Sequence, residues 1–60
     1  MNILLADDRS RVRYALRVLL EQQPGWKVTG EAADANELFC KAQRLLPDLI
    51  LLDFDLPGLD

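Results

Sequence analysis

Residues 47–58 read Pro-Asp-Leu-Ile-Leu-Leu-Asp-Phe-Asp-Leu-Pro-Gly. Four consecutive apolar residues, Leu49 to Leu52, stand between a helix breaker and an acid, and the stretch closes on the turn pair Pro57-Gly58. So short a run, with no polar alternation, suits a strand covered on both faces. The chain opens on the same pattern. Residues 2–6 (Asn-Ile-Leu-Leu-Ala) form an apolar run that stops at Asp7-Asp8. Two matched strands, each ending in acid, frame everything between them.

Between them the period changes. Residues 10–23 read as a helix, with Val12, Leu16, Leu19 and Leu20 on one stripe and Arg13, Arg17 and Glu21 on the opposite face. Pro24-Gly25 ends it. Residues 26–32 alternate, which places Trp26, Val28 and Gly30 on one side and Lys27, Thr29 and Glu31 on the other. Asp34, with Glu37 three residues on, resembles a capping box. A second helix over residues 35–46 follows, with Leu38, Ala42 and Leu45 as its stripe, Phe39 and Leu46 flanking it, and Pro47 as its stop.

The order strand–helix–strand–helix–strand implies an α/β fold with a parallel sheet and right-handed crossovers. The doubly apolar first and third strands belong inside the sheet, and the alternating second strand suits an edge, giving the order 2-1-3. The chain reverses direction after the second strand, so the two helices lie on opposite faces. A crevice then opens at the carboxyl ends of strands 1 and 3, where open α/β sheets bind ligands. Asp7 and Asp8 stand at one of those ends and Asp53 at the other.

Like charges crowded into a crevice repel, and at least one should resist ionising. A divalent cation removes that penalty, and Mg²⁺ characteristically binds through one or two carboxylates together with water and phosphate. A carboxylate beside such a cation can take up a phosphoryl group as an aspartyl-phosphate. Plainer readings stand beside this one. Asp8 is equally well read as the N-cap of the first helix. Asp53 can simply end a strand, and Asp55-Leu56-Pro57-Gly58 can be only a turn. Cys40 and Trp26 read as packing residues, and Arg9, Arg11, Arg13 and Arg17 as a solvated helix face.

Composition narrows the chemistry. The 60 residues are 50% hydrophobic and 28% charged, which is globular rather than disordered. Ten acids against seven bases leave a net charge of −3, unsuited to a nucleic-acid surface. With no His and one Cys, imidazole chemistry, internal disulfides and multi-Cys metal sites are excluded. No apolar run approaches membrane-spanning length. The stretch Ile3 to Ala6 is too short for a signal peptide. A reducing, cytoplasmic setting is expected, without membrane contact.

Taken together, Ile3-Leu4-Leu5-Ala6-Asp7-Asp8 and Pro47-Asp48-Leu49-Ile50-Leu51-Leu52-Asp53-Phe54-Asp55-Leu56-Pro57-Gly58, with the spacing between them, resemble the receiver domain of two-component response regulators. The general style is similar to the NarL/LuxR-like subfamily with a helix-turn-helix output domain. The resemblance implies a flavodoxin-like doubly wound sheet, of which residues 1–60 are the N-terminal part. It implies that Asp53 is the phospho-acceptor and also a ligand of Mg²⁺, that Asp8 binds the metal directly, that Asp7 assists through water, and that Asp55 offers its backbone carbonyl. Pro57 and Gly58 would shape the loop beside the site. The phosphoryl donor would be a phosphohistidine on a sensor histidine kinase, docked over the first helix near Arg11 and Val12. A DNA-binding output domain in the full-length chain would control transcription. Such a domain takes part in its own phosphotransfer and is not a turnover enzyme.

The sequence also departs from the family. A complete receiver is about twice this length, near the usual size of a domain. Its later strands bring a Ser or Thr and a Lys to the phosphoryl group, whereas here no Ser or Thr follows Thr29 and the only Lys after Lys27 is Lys41. The outer edge of strand 3 and the face of the first helix have no partner within these residues, and an open apolar edge invites association. A phosphatase of the haloacid-dehalogenase type also places Asp-x-Asp after an apolar strand, as in Asp53-Phe54-Asp55, but on its first strand and with Thr or Val where Pro57 stands. A truncated receiver that only docks partners is the non-catalytic alternative. Dinucleotide binding fails, because two acids occupy the place of a glycine-rich phosphate loop.

Overall fold

The computed structural model describes residues 1–59. Its elements run β1 (Asn2–Ala6), α1 (Ser10–Leu20), β2 (Lys27–Ala32), α2 (Ala35–Leu45) and β3 (Leu49–Leu52). The sheet is parallel in the order β2-β1-β3, with β1 bonded to both neighbours. This is the α/β arrangement expected from the order of apolar runs.

The helices cover opposite faces. Ile3 and Leu5 of β1 pack with Val28 beneath Leu16 and Leu20 of α1. Leu4 and Ala6 point the other way, into a cluster with Ala32, Leu38 of α2 and Leu56, against which Ala42, Leu52 and Leu59 also pack. The turn after β3 closes this second layer. Pro57 offers its carbonyl to the Ala35 N–H at 2.8 Å, and Gly58, at φ +84°, lies against Ala35. That backbone conformation suits glycine.

Several details depart from the sequence reading. α1 stops at Leu20 rather than residue 23. The Gln22 and Gln23 N–H groups bond back only three residues, to Leu19 and Leu20, so the last turn tightens before Pro24. Leu19 is 60% exposed, and the inward stripe is Val12, Leu16 and Leu20, all half-buried. β2 does not keep a simple alternation. Its register on β1 jumps from Val28 to Gly30, leaving Thr29 as a bulge. Val28 therefore faces α1, while Gly30 faces α2, where an added Cβ would stand 2.6 Å from Leu45 Cδ1. Trp26 precedes the strand and is exposed rather than packed.

α2 begins as expected. Asp34 accepts the Glu37 N–H at 2.8 Å, and Glu37 answers with a bond from the Ala33 N–H rather than the cap's own. The helix ends one residue early, because Leu46 turns left-handed (φ 48°) before Pro47. Leu46, Phe39 and Cys40 are exposed, so Cys40 is not a packing residue. They lie on the outward flank, while Leu38 and Ala42 take the inner one. β3 was expected to be buried on both faces, but Leu49, Ile50 and Leu51 all remain exposed. It is an edge strand, and only its inner side meets β1. Among the described residues, no helix is long and apolar enough to cross a membrane.

Candidate functional site

The ladders continue for one bond past the strand ends, and those bonds place the acids. The Asp7 N–H donates to the Ala32 carbonyl at 3.0 Å, and the Asp53 N–H donates to the Ala6 carbonyl at 2.9 Å. Asp7 and Asp53 are thus held side by side at the carboxyl end of the central pair. Carboxylate oxygens of Asp7, Asp8 and Asp53 lie within 4.8 Å of one another. Asp7 is buried, Asp53 half-buried and Asp8 exposed. The structure therefore brings together the three acids singled out from the sequence. Asp55 is exposed in the following turn, where its N–H donates to Asp53 Oδ1 at 3.1 Å.

The plain reading of Asp8 as a helix cap is not what is found. The N-cap of α1 is Arg9, which makes no side-chain capping bond. Asp7 organises the loop instead, accepting the Arg9 backbone N–H at 2.8 Å on Oδ1. Asp8 is left with its carboxylate free to face the cluster.

Arg9 is the residue that sequence reasoning missed. Assigned there to a solvated face, it folds back over the acids. Its Nε and Nη2 meet Asp7 Oδ1 and Oδ2 at 3.0 and 2.9 Å, a two-pronged bond that matches guanidinium to carboxylate. Nη2 also stands 3.6 Å from Asp53 Oδ2. The available signal was an arginine directly following an acid pair in a short loop. Arg13 was likewise misplaced on the solvent side. It donates to Glu31 Oε1 at 3.0 Å and to the Asp7 carbonyl at 2.7 Å, with Arg17 on Glu31 Oε2 beside it. The bulge at Thr29 turns Glu31 toward α1 and makes that pairing. Arg13 thus braces the backbone of Asp7 from below.

These cations invert the electrostatic expectation at Asp7. Crowding among acids should raise a carboxyl. Instead the Arg9 side-chain bonds hold Asp7 below the usual carboxylate range. Burial opposes them; the Arg9 N–H and the charges of Arg9 and Arg13 assist. The same bonds raise the Arg9 guanidinium. Lys41, the one lysine of the second half, donates to the Glu31 carbonyl and is not at the site.

The donor set fits a hard divalent cation. It is all oxygen, it converges on one point, and a guanidinium already stands there as a positive charge. Beside it, Leu5, Val12, Leu16 and Leu51 line an open cavity of about 260 Å³ on the α1 side, with Asp7, Arg9 and Asp53 at its rim.

The family model of the response regulator receiver domain matches residues 3–60. The chain belongs to this family. It is 43% identical over its whole length to the transcriptional regulatory protein LiaR of Bacillus subtilis, of which it covers 28%. Over its whole length it is also 42% identical to a protein-glutamate methylesterase/protein-glutamine glutaminase of Geobacter sulfurreducens, of which it covers 17%. Among solved structures, the response regulator domain of Thermotoga maritima CheB superposes on the whole chain with a TM-score of 0.93 at 37% identity, and 45% of that domain is covered. A LuxR-family response regulator from Aurantimonas sp. SI85-9A1 gives a TM-score of 0.92 at 42% identity, covering 95% of this chain and 41% of that one. The chain thus spans less than a third of these curated relatives and under half of these structures. The family sets aside the dehalogenase-type reading of Asp53-Phe54-Asp55, which requires the acids on the first strand.

Proposed function

We propose that this receiver accepts a phosphoryl group on Asp53 while Asp7 and Asp8 hold Mg²⁺ beside it, with the Asp55 backbone carbonyl as a further ligand. The observation that carries this reading is the convergence of the Asp7, Asp8 and Asp53 oxygens within 4.8 Å at the ends of two paired strands. In the transfer, an Asp53 carboxylate oxygen bonds to the phosphorus of a phosphohistidine as the P–N bond breaks, leaving an acyl phosphate and a free imidazole. The cation, when bound, supplies charge neutralisation for the phosphoryl oxygens. Asp53 is suited to attack because its Oδ1 is fixed by the Asp55 N–H while Oδ2 faces the cluster.

The partner is a sensor histidine kinase, docking over α1, where Arg11 is exposed and Val12 borders the site cavity. Residues 1–60 serve as the first part of the receiver, in a cytoplasmic protein. Among its relatives are a transcriptional regulator and methylesterases. LiaR and the LuxR-family structure favour a DNA-binding output of the NarL/LuxR kind. The receiver itself performs one transfer and does not turn over.

The test is incubation of the protein, expressed from its natural reading frame, with a small phosphoryl donor and Mg²⁺. Intact-mass analysis should show one added phosphoryl group, labile to hydroxylamine, and Asp53→Asn should gain none. An unchanged mass for a folded wild-type protein, or equal labelling of Asp53→Asn, would defeat the assignment.

A further inference from the structure

The cluster of acids is not an open set of ligands. Both oxygens of Asp7 are taken by one arginine, through Nε at 3.0 Å and Nη2 at 2.9 Å. The same Nη2 leans on Asp53 Oδ2 at 3.6 Å. The guanidinium therefore spans the gap between the ends of β1 and β3, which is the space a divalent cation, or the water through which Asp7 would hold it, needs in order to reach the same carboxylates. A divalent cation placed there would compete with the guanidinium for the same oxygens and would meet its positive charge at close range.

We infer that Arg9 is a built-in counter-ion of the acidic site, that it competes with a divalent cation for this place, and that it must leave Asp7 for the cation to bind. The inference rests on the function proposed above, in that it takes the cation site as given, and it adds the residue that governs access to it.

Three features of this chain support the exchange. The Arg9 side chain is 61% exposed, so it can swing into solvent without opening the core. The Arg9 backbone N–H holds Asp7 Oδ1 independently of the side chain, so the loop keeps its shape when the guanidinium departs. Arg13 braces the Asp7 carbonyl from the α1 side, so Asp7 itself does not follow Arg9 out. Arg9 thus governs access to the site. It neutralises buried Asp7 while the site waits, and it sets a threshold cation concentration below which the acceptor stays unprepared. Replacing it should lower that threshold.

The test uses the protein from its natural reading frame, titrated with Mg²⁺ by calorimetry and followed in parallel through the Arg9 Nε–H resonance by ¹H–¹⁵N NMR. Folding of each variant is checked by circular dichroism. Arg9→Met keeps the backbone bond and the side-chain bulk while removing the charge, and it should bind Mg²⁺ about fivefold more tightly, the scale of one largely exposed ion pair. Arg9→Lys keeps a charge without the two-pronged fork and should fall between. In the wild type, the Nε–H signal should move to a solvent-exposed position as Mg²⁺ saturates. Equal Mg²⁺ affinities for wild type and Arg9→Met, or an Nε–H signal unmoved at saturation, would overturn the inference and leave the cation site standing. If neither protein binds Mg²⁺, the cation site itself is wrong and the inference falls with it.

Discussion

β1 and β3 are register partners built from almost the same residues. Ile3, Leu4, Leu5 and Ala6 of the first strand pair with Leu49, Ile50, Leu51 and Leu52 of the other. The first four are at most 1% exposed, whereas Leu49, Ile50 and Leu51 are 39, 41 and 36% exposed. Composition cannot separate them. Place in the sheet does: β1 has a strand on each side and a helix over each face, while β3 has β1 on one side only. An apolar run thus reports what a strand can tolerate, and its neighbours decide what it receives. The strands match again at their carboxyl ends, where each delivers an acid to one point. There too the environments differ. Asp7 is buried, with Arg9 on its carboxylate and Arg13 on its carbonyl, and Asp53 is half-buried with the Asp55 N–H on one oxygen.

The sharpest way to break the likeness is to cut the same kind of side chain from both strands. Leu4 and Ile50 face each other in the ladder. Leu4→Ala removes a fully buried side chain and should cost about 2–5 kcal/mol. A 60-residue chain has only about 3–9 kcal/mol of stability to lose, so this change should remove a large share of it. Ile50→Ala should cost under about 1 kcal/mol, because its side chain already meets water. Urea titrations of the two variants measure the contrast, and similar midpoints would mean that β3 is covered in solution.

Cover for β3 can come from a second molecule, and that possibility has its own test. The free edge of an apolar strand offers unpaired N–H and C=O groups to any similar strand. Sedimentation velocity on the 60-residue chain should show a coefficient that rises with concentration. Leu51→Lys should flatten that rise. The lysine stem can lie along the cavity wall with its ammonium in solvent, so the monomer should lose no more than about 0.5 kcal/mol. The equivalent change at Leu5, its buried register partner, should prevent folding altogether.

Much of this was legible in residue order. Two apolar runs ending in Asp7 and Asp53, with a helical period between, were enough to order the strands and bring the acids together. Asp34 and Glu37 announced the start of α2. What escaped depended on contacts that have no period. The bulge at Thr29 reverses the facing of the rest of β2, and with it Glu31 moves under α1 and draws in Arg13 and Arg17. Arg9 belongs to no stripe, and a side chain that folds back two residues leaves no mark in hydropathy. For β3 the apolar run predicted cover on both faces, whereas the missing outer neighbour, also legible in residue order, is what leaves Leu49, Ile50 and Leu51 exposed.

Arg9 also provides the smallest and most specific separation of the two strand ends. The Asp7 carboxyl is lowered chiefly by the Arg9 side chain. A lowered carboxyl contributes stability that is complete above the unfolded pKa of about 3.9 and is lost as pH falls through the folded value. The Arg9–Asp7 pair should therefore help the wild type at neutral pH and cease to help at strong acidity. In Arg9→Met, burial is no longer opposed by the guanidinium, so Asp7 should protonate at higher pH and the variant should lose less stability on acidification than the wild type. Asp53→Asn, which leaves the Asp7 pair in place, should keep the wild-type acid edge. Urea midpoints collected from neutral pH downward distinguish these cases. The wild-type and Arg9→Met curves should differ at neutral pH and converge below the Asp7 transition. A constant gap across that range would mean that Arg9 acts through packing of its stem and not through its charge on Asp7.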